Sequence, residues 1–238
     1  MAERTVETFA SEVAAALGTR LGALLLYGSA ARETHVARRG RTGLNTLLVC
    51  DAVDEALFAA LEPAVRTWTR AGHPAPLIFT EQEWRDSSDA FAIEYEEIRQ
   101  HHRLLAGRDP WQGISVRRED LRRQLEVELV GKLVRLRQAY AAARSDSKRL
   151  TEVVVGSAAG FFTMLRSVLR LSGRAVPADP EAVVREAAAL VGFPPTALND
   201  LVAHVRGRAQ LALAARDARA AAYLATVART AEFVNGLT

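Results

Sequence analysis

Little in this chain can staple or anchor it by anything other than packing. One cysteine among 238 residues excludes an internal disulfide. Cys50 lies inside an apolar run, where it reads as a small buried hydrophobe rather than a nucleophile. No apolar run reaches the roughly 18 residues expected of a membrane span, and the opening MAERTVETFASEV lacks the apolar segment of a secretory signal. A cytoplasmic location with no membrane partner is therefore expected. No internal repeat or low-complexity tract is visible. Lysine is nearly absent, occurring only at Lys132 and Lys148, so arginine carries almost all the positive charge. In so alanine-rich a chain, genomic base composition explains that bias as readily as phosphate recognition does.

What is present is ordinary globular material. Hydrophobic residues make up 49% and charged residues 25%, enough to bury a core and far from a disordered composition. The length suits two modest units, and the charge supports such a division. Residues 1–116 hold 12 Lys+Arg against 16 Asp+Glu, a balance of −4, whereas residues 117–238 hold 19 against 12, a balance of +7. Two surfaces of opposite sign are implied, the second suited to an acidic partner such as nucleic acid.

Periodicity divides the chain in the same place. Val6, Phe9, Val13 and Leu17 recur at helical spacing before Gly18, which predicts an amphipathic first helix. Leu21 to Tyr27 and Leu44 to Cys50 are short apolar runs bounded by turn or polar residues, predicting two buried strands that pair in one sheet. Leu57, Leu61, Val65 and Trp68 predict a helix between Asp54 and Thr69, with Pro63 expected to kink or restart it. Pro76 to Phe79 reads as a third strand. Thr80 and Glu83 form a capping-box pattern that starts a short helix. Phe91 to Gln100 should be helical, and His101 to Ala106 an edge strand before the Gly107 to Pro110 turn. Beyond this the strand signals stop. Leu121, Leu125, Leu129, Leu133, Leu136 and Tyr140 mark a long helix. Residues 148–171 predict a central bundle member in which Gly156 and Gly160 would admit a close neighbour. Asp179-Pro180, Gly192 and Pro194-Pro195 punctuate two shorter helices, and Tyr223, Val227, Ala231 and Val234 face the last. The expected class is α+β: a small mixed-sheet domain at 1–115, then an all-α helical bundle at 116–238.

The first strand ends in Tyr27-Gly28-Ser29-Ala30-Ala31-Arg32, followed by a basic loop and the strand Thr42 to Val49. This layout resembles the nucleotidyltransferase superfamily, which shares the catalytic core of DNA polymerase beta, and in particular its minimal and aminoglycoside-type members. The two elements correspond to the family's GS-x-x-R element and its S-D-x-D-L-L-V strand, and a following helical bundle is also similar. The resemblance implies that Gly28, Ser29 and Arg32 face nucleotide phosphates. It further implies that alternating strand positions hold Mg2+ for transfer from a nucleoside triphosphate, because side chains two apart share a face.

Those metal positions are Gly43 and Asn45 here. Glycine supplies no ligand, the asparagine amide is only a weak one, and the third strand carries no carboxylate. The expectation is a nucleotidyltransferase-like protein, catalytically impaired, that binds a nucleotide or a protein partner through the GS-containing cleft. An active Mg2+-dependent enzyme is the first alternative, and a nucleic-acid-binding or protein-interaction bundle, homodimeric or with another chain, is the second. Asp51, Glu33 and Glu81 are candidate substitute ligands, although acids at such positions are more often solvated caps. Arg38, Arg39 and Arg41 are candidate phosphate contacts, against the plainer reading of an exposed basic loop. His101 and His102, flanked by Arg99 and Arg103, should face opposite sides of a strand and not act together. Asn199 stands five residues before His204, so the Arg-x4-His nuclease motif of some helical bundles is missing. Arg122, Arg123, Arg135 and Arg137 alternate with acids, as on a solvated helix.

Overall fold

The computed structural model describes residues 5–31 and 43–237. The chain divides into two compact units, Met1–Val116 and Arg117–Thr238. Its class is mixed α+β, with one four-stranded mixed sheet and nine α-helices among the described residues.

In the first unit α1 (Val6–Leu17) starts at Thr5, whose side chain accepts the Thr8 N–H, and ends at Gly18. A 3₁₀ turn leads into β1 (Leu21–Tyr27), and a second one, Gly28–Ala31, follows that strand. Next come β2 (Asn45–Cys50), α2 (Glu55–Arg70), β3 (Leu77–Thr80), α3 (Glu81–Asp86), α4 (Ala92–Gln100) and β4 (His102–Gly107). The sheet order is β3-β2-β1-β4. β1 pairs antiparallel with both β2 and β4, while β2 and β3 run parallel across the α2 crossover. α2 continues through Pro63, so the expected restart does not occur. The Thr80–Glu83 capping box forms in full, with Glu83 Oε2 accepting the Thr80 N–H at 2.7 Å.

Both faces of β1 and β2 are covered, which is why their sequences are apolar without alternation. On one face Leu24, Leu26, Leu48 and Cys50 pack with Phe9 and Val13 of α1 and Leu57, Leu61 and Trp68 of α2. Phe9 stacks on Trp68 with ring centroids 4.4 Å apart. On the other, Ala23, Leu25, Leu47 and Val49 meet Trp84, Tyr95, Ile98 and Ile114. Trp84 stacks on Tyr95 at 4.2 Å and donates its indole N–H to Pro110 O, while the Tyr95 hydroxyl donates to Trp84 O at 2.7 Å. Each amphipathic ring thus buries its body and satisfies its polar tip.

The second unit contains α5 (Arg118–Ala143), α6 (Ser147–Leu171), α7 (Pro180–Val191), α8 (Thr196–Val205) and α9 (Ala218–Asn235), with no strand among the described residues. Leu125 and Leu129 of α5, Phe161 and Leu165 of α6, Val183 of α7, Leu201 of α8 and Val227 of α9 are all fully buried. Asp179 caps α7 by accepting the Ala182 N–H, and Gly192 ends it in the left-handed conformation. A side chain at Gly160 would meet the Lys132 ammonium, which donates to Ser157 O at 2.9 Å. Gly156 has open space before it, contrary to the close neighbour expected there. α6 is the one helix among the described residues long and apolar enough to cross a membrane, and 56% of its apolar window is buried inside the protein.

All three tryptophans, Trp68, Trp84 and Trp111, lie in the first unit, so their fluorescence reports that unit alone. Phe9→Ala should lower its stability by about 3–5 kcal/mol, the usual loss for a fully buried phenylalanine. Urea unfolding followed by tryptophan emission measures this, and a loss below about 1 kcal/mol would contradict the packing described.

Candidate functional site

The two motifs singled out in the sequence meet at one end of the sheet. Antiparallel pairing sets Tyr27 opposite Asn45, so the last residue of β1 faces the first of β2. Gly28 then turns with φ +81°, a left-handed conformation that favours glycine. A Cβ on Gly28 would stand 3.4 Å from Asn45 Nδ2, which makes the Asn45 amide its nearest side-chain neighbour. The Gly28 N–H donates to His101 O at 3.1 Å. That donor is therefore occupied, and the glycine's contribution is its shape. Ser29 lies in the 3₁₀ turn that follows. Arg32, Glu33, Arg38, Arg39 and Arg41 lie outside the described residues.

Gly43 stands where the resemblance expects the first metal carboxylate, and its surroundings leave no room for one. A Cβ there would come within 2.5 Å of Pro74 Cδ, 3.0 Å of Gly72 O and 3.1 Å of His73 Cα. The 72–74 turn that crowds it is firmly held. Trp68 donates its indole N–H to Pro74 O at 3.0 Å, and His73 lies against the Trp68 ring with centroids 3.9 Å apart. His73 Nδ1 accepts the Leu44 N–H at 3.1 Å, tying this turn to the start of β2. Burial holds the His73 imidazole below its ordinary pKa, in keeping with a ring nitrogen that accepts a backbone hydrogen bond.

The neighbouring strand adds no metal ligand, since β3 presents Leu77, Ile78 and Phe79. Among the described residues no group of three or more His, Cys, Asp or Glu is placed to hold a metal ion. One neutral amide beside a blocked glycine does not fit magnesium, a hard cation that prefers several oxygen ligands with carboxylates among them.

Two of the candidate substitute ligands, Asp51 and Glu81, are elsewhere. β2 runs from Asn45 to Cys50, so Asp51 lies roughly 20 Å from Asn45 at the rise of an extended strand. Asp51 accepts from Arg20 Nε at 3.1 Å, and Arg20 also reaches Asp54 at 3.0 Å. Glu81 stands at that same far end, packed on Gly22 and paired with Arg108 and, at 3.9 Å, Arg85. It helps to line a pocket of about 120 Å³ with Trp84, Asp109 and Pro110. Asp51 and Glu81 are thus structural ion-pair partners, remote from the Gly28 turn because antiparallel strands put the end of β2 beside the start of β1.

His102 is also accounted for. Its Nε2 accepts the Trp111 indole N–H at 3.2 Å, which leaves Nδ1 to carry the proton toward Ile98 O at 2.9 Å and Arg99 O at 3.0 Å. His101 caps the end of α4. Sequence reasoning missed Glu94 and His73. Burial, together with the nearby Glu94 carboxylate, raises the Tyr27 hydroxyl above its ordinary pKa, so an acid does stand near this end of the sheet. It comes from α4, and only the tertiary fold brings it there.

No protein-family model matches the chain, and no curated protein matches its sequence.

Two measurements follow from the Gly43–His73 contact. Gly43→Asp should destabilise the first unit by about 1–3 kcal/mol, the usual cost of overpacking, and should create no magnesium site. Tighter magnesium binding at unchanged stability, by calorimetry and urea unfolding, would contradict the crowding. His73 is held neutral in the folded state, so its contribution is complete above the unfolded pKa near 6.5. That contribution is lost as pH falls through the lower folded value, because the unfolded chain then binds more protons. The tryptophan-detected urea midpoint should fall with pH in this window, and His73→Asn, which does not titrate, should flatten the fall. An equal slope in both proteins would assign the effect to other groups.

Proposed function

We propose that the first unit is a nucleotidyltransferase-like domain that binds a nucleotide at the Gly28–Asn45 end of its sheet and has lost metal-dependent transfer. The observation that carries this reading is the contrast at that one end. The glycine turn stands beside the strand position expected to face a metal, while position 43 has space only for a hydrogen. Phosphate recognition needs close backbone approach and hydrogen-bond donors. Gly28 suits the first need by its shape, its own N–H being taken by His101 O, and the second falls to Ser29 in the turn after it. Two-metal transfer needs paired carboxylates, and positions 43 and 45 supply one amide. In this reading the all-helical second unit is the bundle that commonly follows such a domain.

Calorimetry with each of the four nucleoside triphosphates, with and without magnesium, tests the proposal when combined with a labelled-transfer assay. The expected result is binding of at least one nucleotide at similar affinity in both conditions, no transfer of label, and loss of binding in Ser29→Trp. Magnesium-dependent transfer abolished by that substitution would instead identify an active enzyme. Absence of binding to every nucleotide would overturn the nucleotide reading and leave protein contact as the role of this end of the sheet.

A further inference from the structure

α5 is apolar on two opposite sides. Leu121, Leu125, Leu129, Leu133 and Leu136 face the interior of the second unit. On the other side Val127 is 66% exposed, and Val130 and Val134 are each 48% exposed. Spacings of three, four and seven residues put these valines on one stripe. Of the nine large apolar side chains exposed among the described residues, three lie on this single helix face, whereas scattered ones would need no explanation.

The charges beside the stripe are arranged with a symmetry that selects an occupant. Glu126 and Arg137 are 11 residues apart, close to three turns, and share one flank. Glu128 and Arg135 are seven apart, close to two turns, and share the other. Both pairs are centred on the same point, the peptide bond between Gly131 and Lys132. Glu119 and Arg144, on the Glu126 flank, are centred there as well. In each of these three pairs the acid lies in the N-terminal half and the arginine in the C-terminal half, about one point. Arg118, Arg122 and Arg123 also lie in the N-terminal half, outside this pairing, with Arg122 and Arg123 bonded to Glu126 and Asp120 of their own helix.

A two-fold axis perpendicular to the helix at that point would bring a second α5 alongside in the antiparallel direction. Each acid would meet the opposite charge of the partner, Glu126 facing Arg137 and Glu128 facing Arg135 on both flanks. Val134 of one helix would fall between Val127 and Val130 of the other, as side-chain ridges do in packed helices. Gly131, where a Cβ would meet only the flexible Arg135 side chain, lies beside the crossing point and permits a close approach. A parallel two-fold pairing would set the Glu126 flank against the partner's Glu128 flank, acid near acid and Arg137 near Arg135, and is disfavoured for that reason. Glu126 already accepts from Arg122 at 2.9 Å, which holds its carboxylate on the flank with one oxygen still available.

We infer that this face of α5 is a self-association surface whose occupant is the same face of a second copy of the chain, antiparallel about the Gly131–Lys132 bond. The valines supply the attraction. The flanking charges set direction and register, since single exposed ion pairs contribute little attraction of their own. One helix pair covers less than a standard interface, so the association depends on concentration.

Sedimentation equilibrium of the full chain tests this. The weight-average mass should rise from 25.9 kDa toward twice that value through the micromolar range. Val130→Glu with Val134→Glu should hold it at the monomer, with helical circular dichroism unchanged. Glu126→Arg with Glu128→Arg should be monomeric alone, as should Arg135→Glu with Arg137→Glu, because each puts like charges across the axis. Mixed together, the two charge-reversed chains should associate, since all four contacts are then complementary. This rescue separates a lost interface from a lost fold. A wild-type mass that stays monomeric at every concentration would overturn the inference. A dimer that persists in the valine double variant, or charge-reversed chains that fail to associate when mixed, would overturn it too.

Discussion

The first unit depends on the hydrogen-bonded pairing of β1 with strands on both of its sides. β1 is interior in the sheet, and the set from Ala23 to Leu26 is buried on both faces, so backbone pairing on both edges and packing on both sides hold this strand. Its antiparallel match to β2 decides which chemistry meets which. Tyr27 and Gly28 are brought to Asn45, while Gly22 is brought to Val49 and Glu81. The two ends of the sheet are consequently different places. One holds a glycine turn, an amide and a nearby glutamate. The other holds arginine–carboxylate pairs that close the surface around Gly22.

Much of this was legible in the sequence where local chemistry determines structure. The Thr80–Glu83 box, the Asp179-Pro180 start, Gly18 and Gly192 as helix ends, and the unalternating strands around Leu24 and Leu48 each follow from backbone preferences or burial acting over a few residues. The helix does not restart at Pro63, because packing of Leu57, Leu61, Ala64 and Trp68 offsets the hydrogen bond a proline removes. Gly156 misled because a helical glycine signals close approach only if a neighbour lies on that side.

At the site, the nearness of Gly28 to Asn45 was foreseeable from two strands that pair as neighbours. The role of Gly43 was not. Its backbone has no left-handed φ, and the requirement for glycine comes from Pro74, some thirty residues away. Glu94 and His73 likewise depend on which element crosses where, and short motifs carry no record of that, whereas the distance of Asp51 follows from the length of β2 alone. The His102–Trp111 bond shows the same limit in reverse: a histidine beside another histidine suggests proton chemistry, yet both ring nitrogens are occupied by structural partners.

The edges of the sheet have a further consequence. β3 is four residues long and turns at once into α3, its last residue being the helix cap. β4 slips register against β1 between Leu24 and Leu25 and carries His102 and Arg103, the latter paired with Glu7 of α1. A short edge and an irregular, charged one both resist the addition of a foreign strand, the route by which exposed sheets recruit other chains or aggregate. Among the described residues the sheet edges thus discourage strand addition, which favours assembly through helical surfaces, where side chains rather than unpaired backbone select the partner.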